Sequence, residues 1–556
     1  MTKIKESRNL YKIIVLVILF SYSIGILYLL RFNPDPQHDG ILLSAGSVTS
    51  KGLIPHQDYI FIWGPLLPYI LSIPAHFGDN LFNLRVFGYL CFLLTTFFAY
   101  LFNKKLFSKN QSKLISITWL ISFPAFSMYS AAKWPLPSPV WPNIYGILLI
   151  LIAALILIQL QNKTSGHILL ALISGLFSVL SIFIRLDLIT LYFGLLVFMV
   201  LKYKNKIELF VFLIPTMVTI LIFLFKKSSI FIQAWKQQNI DSVISGGYTS
   251  GVPSFTIFGA LRALIAIMLL SILYFSFVFI FKIIIDKQKK YLYVIASLLI
   301  IYLIFCFIYN YKNYSVFPLN KLIVWFNKIN SEFSLGFVAV SLVAIIPLTY
   351  FNYKNKRLNI KDNPNYVLLA ILAFCSLPLN HNFNIDYIWI NSIFLISYVL
   401  LGIHENTNFK VKVLVLPSII FSCIIFISGI ISLQQSQIYN FKYHPLEKMK
   451  TNNILYGKEL DAEFKLINSI PVGSNFQNLC ADSLYSVNNR KLVFSTGALV
   501  FSDSQLFNEN MIEQFGSWIF RCNLTQLQFN SLRSDDIKFF KKSTGYFSVV
   551  YKSANK

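Results

Sequence analysis

Several ionisable side chains that can move a proton or bind a cation lie between the first two long apolar segments of the chain. They are Asp35, His38, Asp39, His56 and Asp58. Charged groups beside a bilayer are costly unless they face water, a partner or a ligand. A positioned carboxylate can take the proton of a hydroxyl as that hydroxyl attacks. We therefore expect the segment 32–82 to hold the active site of a membrane enzyme, with Asp39 as its central group.

These residues also have structural interpretations. An aspartate at the end of an apolar segment, such as Asp39, can simply cap the next helix. For Asp58, a supporting role in the active site and capping of the turn at 59–63 are equally good interpretations. For His38 and His56, solvated loop histidines are a commoner outcome than metal ligands or groups that orient an acid.

The composition is that of a membrane protein. The 556 residues have a mean hydropathy of +0.62 and only 13% charged residues, where about a quarter is usual. The 53 Phe and 30 Tyr suit lipid-facing helices with aromatic residues at their ends. The net charge of +25 does not indicate nucleic acid, because most Lys and Arg lie in short connections between apolar segments, where they fix topology and face anionic lipid.

Apolar segments of about the 20 residues that cross a bilayer recur through the first 432 residues. They predict an all-α polytopic membrane protein with about 13 transmembrane helices. The predicted spans are residues 13–31, 83–102, 114–130, 143–160, 168–184, 187–201, 207–225, 256–281, 292–309, 335–351, 366–379, 388–403 and 412–432. We interpret the first as an uncleaved span, because no small-x-small cleavage motif follows it.

The distribution of Lys and Arg predicts the orientation. With the N-terminus in the cytoplasm, the inward connections hold about twice as many Lys and Arg as the outward ones, in roughly half the length. This frame puts the loop 32–82 on the outer side. We expect an integral protein of a bacterial inner (plasma) membrane.

The tail changes composition abruptly. Residues 433–556 contain alternating stretches, KLVFS and YFSVV, and turn signals, which predict a small α/β extracytoplasmic C-terminal domain after a transmembrane domain of residues 1–432. Cys480 and Cys522 both lie in this tail, and whether they form a disulfide stays open.

The first outer loop resembles a known family. Its order of motifs is DG at 39–40, GLIPHQDY at 52–59, GPLLPY at 64–69 and then Arg85. This order is similar to that of membrane glycosyltransferases of the GT-C type, above all the branch with the protein O-mannosyltransferases and the aminoarabinose transferases of lipid A. The likeness covers mainly residues 30–105, and Arg185-Leu186-Asp187 resembles an R-x-D of the same family. His56 stands where the family usually has Tyr.

The resemblance implies transfer of a sugar from a polyprenyl-phosphate donor to a glycan, lipid or protein acceptor on the outer face, with inversion. Asp39 would be the base and Asp58 the second catalytic residue. The donor phosphate needs cations, and the candidates are Arg85, Lys133 and Arg185; Arg85 is also placed to snorkel to the interface. His38, His56 and Asp187 would give support. No cofactor is certain, and a divalent metal (Mg²⁺ or Mn²⁺) on Asp39 and His38 is an open alternative.

Other functions and sites remain open at this level. An O-antigen polymerase or ligase also has many spans, but it usually relies on a large outer loop in mid-chain that is rich in Arg and His. A lipid or polysaccharide transporter (flippase) would commonly have paired repeats, and the two halves of this chain are not similar.

Two local sites also have more than one interpretation. Around the turn Arg185-Leu186-Asp187, the two short apolar halves indicate a helical hairpin with an ion pair at its tip or a plain outer turn. The polar cluster His381, Asn382, Asn384 and Asp386 fits an acceptor site or an ordinary loop.

Overall fold

The computed structural model describes a large part of the transmembrane region and of the tail. The described residues are 24, 27, 39–55, 61, 63–77, 81–113, 115–117, 119–120, 142–160, 167–203, 206–225, 336–380, 393–406, 462–463, 465–467, 469–471, 474–478, 491–495, 518–530, 532, 536–542 and 545–552. The helices are α1 Asp39–Ser50, α2 Leu66–His76, α3 Leu81–Asn103, α4 Pro142–Leu160, α5 His167–Ile184, α6 Ile189–Lys202, α7 Lys206–Phe225, α8 Gly336–Lys354, α9 Pro364–Cys375, α10 Ile393–Asn406 and α11 Gln526–Asn530. The strands are β1 Asn475–Asn478, β2 Lys491–Ser495, β3 Trp518–Leu524, β4 Ile537–Lys541 and β5 Phe547–Lys552.

Within the described part of the chain, α3, α4 and α5 are long and apolar enough to cross a membrane. Their bounds lie within two residues of the predicted spans 83–102, 143–160 and 168–184. Helices α6 to α10 overlap five further predicted spans. The predicted spans 256–281, 292–309 and 412–432, and most of 13–31 and 114–130, lie outside the described residues. The total of about 13 spans therefore stays a prediction.

Helix α4 packs between α3 and α5, and most of its side chains are buried. Two hydroxyls join it to its neighbours. Thr95 of α3 donates to the Ile144 carbonyl oxygen at 3.3 Å, and Ser174 of α5 donates to the Ala153 carbonyl oxygen at 3.1 Å. Membrane helices commonly associate through such small and hydroxyl-bearing residues. Farther out, α5 packs on α7 and α6 packs on α9.

Helices α1 and α2 form a close pair in the predicted first outer loop. A Cβ added to Gly46 of α1 would lie 2.6 Å from the Leu71 carbonyl oxygen of α2, so the pair can approach this closely because position 46 is glycine. Helix α2 buries Leu71 and exposes Tyr69, Ile73 and, directly after its end, Phe77. These exposed residues recur every fourth position and form an apolar stripe on one face.

The tail contains a five-stranded mixed sheet in the order β2-β1-β3-β5-β4. Strand β1 pairs in parallel with β2 and β3, whereas β5 pairs antiparallel with β3 and β4. The stretches KLVFS and YFSVV predicted from alternation fall on β2 and β5. The first four residues of β5 are all buried, so both of its faces are covered.

A buried carboxylate ties a preceding segment to this sheet. Glu463 is 2% exposed, the Lys542 Nζ lies 2.6 Å from its Oε1, and the Ser548 hydroxyl donates to the same oxygen. Strand β2 in turn lies against α1. The sheet and the first outer loop are therefore on the same side of the helices.

Candidate active site

The junction of α5 and α6 carries Arg185 and Asp187, and we call residues 185–188 the tip. Helix α5 ends at Ile184, Arg185 is extended (φ −156°, ψ 126°), and a 3₁₀ turn over Leu186–Leu188 leads into α6. The Leu188 N–H donates to the Arg185 carbonyl oxygen at 3.2 Å. Because the sequence is apolar on both sides, the turn keeps the two charged side chains at an end of the helices.

Two of the described residues hold the Arg185 guanidinium. Its Nε lies 2.9 Å from Oδ2 of Asp187, and its Nη1 donates to Oδ1 of Asn143, the second residue of α4, at 2.7 Å. The side chain of Arg185 is 15% exposed, and Asn143 is fully buried. Contacts to two different nitrogens fix the orientation of a planar guanidinium.

The ion pair predicted for this turn is thus present, but the helices beside it do not form a tight hairpin. Helix α5 packs mainly on α4 and α7, whereas α6 packs mainly on α9. Each of the two helices therefore has its more extensive apolar contact with another helix of the layer.

The carboxylate of Asp187 has acceptor capacity left over. Both of its oxygens are shielded from solvent, and no residue in the described part of the chain donates a hydrogen bond to them. The 2.9 Å contact with Arg185 is an ion pair without hydrogen-bond alignment. Because buried polar atoms nearly always have a partner, this carboxylate is a candidate for contact with a ligand hydroxyl.

The GPLLPY segment of the first outer loop docks on the end of α5. The Gly64 N–H donates to the Ile184 carbonyl oxygen at 3.0 Å. A Cβ at position 64 would lie 1.9 Å from the Phe183 carbonyl oxygen, which the backbone could not accommodate in place. Two features that are 120 positions apart in the sequence, the loop motif and the tip, are therefore in direct contact.

Arg85 lies in the first turns of α3 and is completely buried. It has an interaction partner, and its burial contradicts the alternative that it snorkels to the interface. Two residues further on, the Phe87 ring stacks on Tyr145 of α4 with ring centroids 6.2 Å apart. The first turns of α3 and α4, with Arg85 on one and Asn143 on the other, therefore lie side by side.

Many of the predicted site residues lie outside the part of the chain that the structure describes. Asp39 is the first residue of α1, and its side chain is outside the described part. The predicted site residues Asp58, Lys133, His38 and His56 lie outside the described residues, as do His381, Asn382, Asn384, Asp386 and Cys480, and of Cys522 only the backbone, in β3, is described. Their roles stay predictions.

Asn143 is the functional candidate that the sequence pattern did not single out. It follows Trp141-Pro142 at the start of a long apolar segment. A primary amide at the start of a predicted span was the available signal, but its partner, Arg185, is 42 residues away.

The alternative of a divalent metal on Asp39 and His38 lies outside the described side chains. Within the described residues, no group of three or more His, Cys, Asp and Glu side chains comes together. Asp187 is a single carboxylate already paired with a guanidinium, whereas Mg²⁺ and Mn²⁺ sites use several oxygen ligands.

Comparisons with known proteins give distant likenesses. No protein-family model matches the sequence, and no curated protein matches it significantly. The chain is similar to the crystal structure of ArnT from Cupriavidus metallidurans bound to undecaprenyl phosphate, at 12% identity and a TM-score of 0.44 over 97% of this chain and 98% of that one. It is similar to the apo form at 11% identity and a TM-score of 0.42, over 98% of both chains.

A second neighbour is the oligosaccharyltransferase AglB from Archaeoglobus fulgidus in complex with an inhibitory peptide and a dolichol-phosphate. The identity is 12% and the TM-score 0.41, over 94% of this chain and 71% of that one. At such values neither likeness establishes a common fold or an activity.

Proposed function

We propose that the chain is a GT-C-type membrane glycosyltransferase that moves a sugar from a polyprenyl-phosphate donor to a glycan, lipid or protein acceptor on the extracytoplasmic face. The observation that carries this proposal is the docking of the Gly64 segment beside the oriented guanidinium of Arg185. The contact joins the loop that has the family-like motifs to a cation at the end of the apolar helices.

The guanidinium has the chemistry that the leaving group requires. As the bond between the anomeric carbon and the phosphate oxygen breaks, negative charge grows on the lipid phosphate. A guanidinium binds two phosphate oxygens at once, and a donor that is already oriented stabilises that charge without reorganisation. We assign Arg185 to the donor phosphate, with Arg85 and Lys133 as further cations of the site.

The acceptor side of the reaction requires a base. The hydroxyl oxygen of the acceptor forms a bond to the anomeric carbon and loses its proton, and a carboxylate takes that proton in the transition state. We assign this role to Asp39, with Asp58 in support, and a single displacement inverts the configuration. Asp187, with two oxygens that lack donors among the described residues, is suited to accept a hydrogen bond from a hydroxyl of the sugar or of the acceptor.

The carrier lipid needs an apolar path to this site. Helix α2 begins two residues after Gly64 and exposes the stripe of Tyr69, Ile73 and Phe77. A polyprenyl chain that lies along this stripe would bring its phosphate toward the docked Gly64 segment. The proposal places the protein in the inner membrane, with a cytoplasmic N-terminus and an extracytoplasmic tail.

The test is sugar transfer by the purified full-length protein in proteoliposomes, with a panel of polyprenyl-phosphate-linked hexoses and pentoses. Asp39→Asn keeps the shape of the side chain but removes the base, so transfer should fall by about 10²–10⁴-fold. Asp362→Asn, in the exposed connection between α8 and α9, is the matched control and should transfer normally. Transfer at the wild-type rate by Asp39→Asn would contradict the assignment of Asp39 as the base. Movement of lipid-linked sugar across the bilayer without transfer would contradict the proposal that the protein is a glycosyltransferase.

A further inference from the structure

A groove lies between the last turns of α3 and α4, at the opposite end of these helices from the tip. It has a volume of about 340 Å³ and is lined by Phe98, Leu101, Lys104, Lys105, Ile152, Leu155, Ile156 and Gln159. Helix α4 starts beside Arg185 and runs to this groove, and Asn143 is roughly 24 Å from Gln159 along its axis. The groove is therefore separate from the candidate active site.

The lining divides into an apolar part and a basic rim. Five lining side chains of α3 and α4 are aliphatic or aromatic. Gln159 near the end of α4, and Lys104 and Lys105 after the end of α3, are polar and exposed. The sequence has no Asp or Glu between Asp79 and Asp187. In the described part of the chain, neither ammonium group has a carboxylate within ion-pair distance.

We infer that this groove binds one anionic glycerophospholipid of the leaflet at this end, with part of an acyl chain between α3 and α4 and its phosphate at Lys104 and Lys105. Basic pockets between transmembrane helices bind such headgroups. The volume is at the small end of ligand cavities, which hold about 300–1,000 Å³, so it accommodates a segment of one chain. The charge of the rim favours an anionic over a zwitterionic headgroup.

The long polyprenyl carrier of the proposed reaction is a poorer occupant. Its phosphate is required at the other end of α4, beside Arg185, and a groove of about 340 Å³ holds little of its chain. The inferred lipid site does not depend on the proposed reaction, and its test needs no sugar transfer.

The test is a titration of the purified full-length protein in neutral detergent with phosphatidylglycerol or phosphatidylcholine, followed by native mass spectrometry and thermal unfolding. Lys104→Gln/Lys105→Gln should weaken phosphatidylglycerol binding by about 30-fold, at about five-fold per lysine. The matched control Lys109→Gln/Lys113→Gln removes two exposed charges from the same connection, outside the groove lining, and should change binding by less than about three-fold.

A second variant tests the apolar half of the groove without a change of charge. Phosphatidylglycerol should raise the Tm of the wild type. Leu101→Trp fills the space between the helices and should abolish that rise. The inference is overturned if phosphatidylcholine binds as well as phosphatidylglycerol, or if both lysine pairs behave alike. It is likewise overturned if Leu101→Trp binds normally, or if sugar-free undecaprenyl phosphate displaces phosphatidylglycerol at equal concentration.

Discussion

Two buried carboxylates of this chain have different surroundings. Glu463, beside the sheet, has the Lys542 ammonium at 2.6 Å and also accepts a hydrogen bond from Ser548. Asp187, at the tip, has a guanidinium at 2.9 Å, but neither of its oxygens accepts a hydrogen bond from the described residues. The Asp187 side chain is 24% exposed and that of Glu463 2%, but both Asp187 oxygens are themselves shielded from solvent. The two carboxylates therefore differ mainly in how many of their acceptor positions are filled.

The difference separates a structural ion pair from a site with capacity for a ligand. A buried carboxylate with an ammonium and a hydroxyl on it fixes the packing of the elements that it joins, because loss of either partner leaves a charge unpaired. A buried carboxylate with vacant acceptor positions is an exception among folded proteins, and such exceptions call for an explanation. The position of Asp187 beside an oriented arginine is the basis for the proposal that it contacts a ligand.

Lys542→Met gives the largest expected effect. It leaves the Glu463 carboxylate buried without its cation, so the free energy of unfolding of the sheet should fall by about 3–5 kcal/mol. Hydrogen exchange at the amides of β3 and β5 measures this loss. Sugar transfer by the protein that remains folded should be unchanged, because Lys542 lies far from the tip in the chain and its ammonium pairs with Glu463 beside the sheet.

The control for this variant is its neighbour. Lys541 is exposed, with its ammonium 5.5 Å from the centroid of the Phe547 ring, and Lys541→Met should cost less than about 1 kcal/mol. An equal loss of unfolding free energy in the two variants would contradict the claim that Glu463 and Lys542 form a structural ion pair.

Gly64→Ala should have the next largest effect, and on activity. The added Cβ would overlap the Phe183 carbonyl oxygen, so the docked segment must move away from the tip. A displacement of about 1 Å at a reacting site costs roughly 10²-fold in rate, which initial rates of transfer would measure. Gly194→Ala, whose Cβ would meet the Cys375 sulfur at 3.0 Å, is the control for a tight glycine elsewhere, and an equal loss there would mean that any crowded glycine produces the effect.

Asn143→Ala, which also changes the surroundings of the tip, should lower activity less than Gly64→Ala does. The amide accepts a hydrogen bond from Arg185 at 2.7 Å, and loss of a hydrogen bond to a charged group costs about 1.5–3 kcal/mol. We expect kcat/KM for the lipid-linked donor to fall at least ten-fold. Asn103→Ala removes a buried amide from the other end of α3 and should leave kcat/KM unchanged; a similar loss there would argue against a specific role for Asn143.

The bounds of the spans could be predicted because they depend on local composition. The apolar run at 143–160 gives helix Pro142–Leu160, and the run at 168–184 gives His167–Ile184. The ion pair of Arg185 and Asp187 was also accessible, because the two residues are two positions apart in one turn. In the tail, the alternation of KLVFS and YFSVV was enough to predict strands at β2 and β5.

The contacts that assemble the site could not be predicted in the same way. The bond from Arg185 to Asn143 and the docking of Gly64 on Ile184 join residues that are far apart in the sequence. No local periodicity encodes which helix ends meet, since that depends on how whole apolar faces pack. For the same reason the pairing order of the sheet, with its parallel and antiparallel halves, was not available from the strand pattern alone.

The most direct test of the account is the affinity of the purified protein for sugar-free polyprenyl phosphate, measured for the wild type, Arg185→Lys and the control Arg357→Lys. Lysine keeps the positive charge but loses the two-point grip on phosphate. We expect Arg185→Lys to bind the carrier at least about ten-fold more weakly than the wild type. Arg357→Lys, in the turn after α8, should bind it as the wild type does. Equal affinity for the wild type and Arg185→Lys would contradict a phosphate site at the tip.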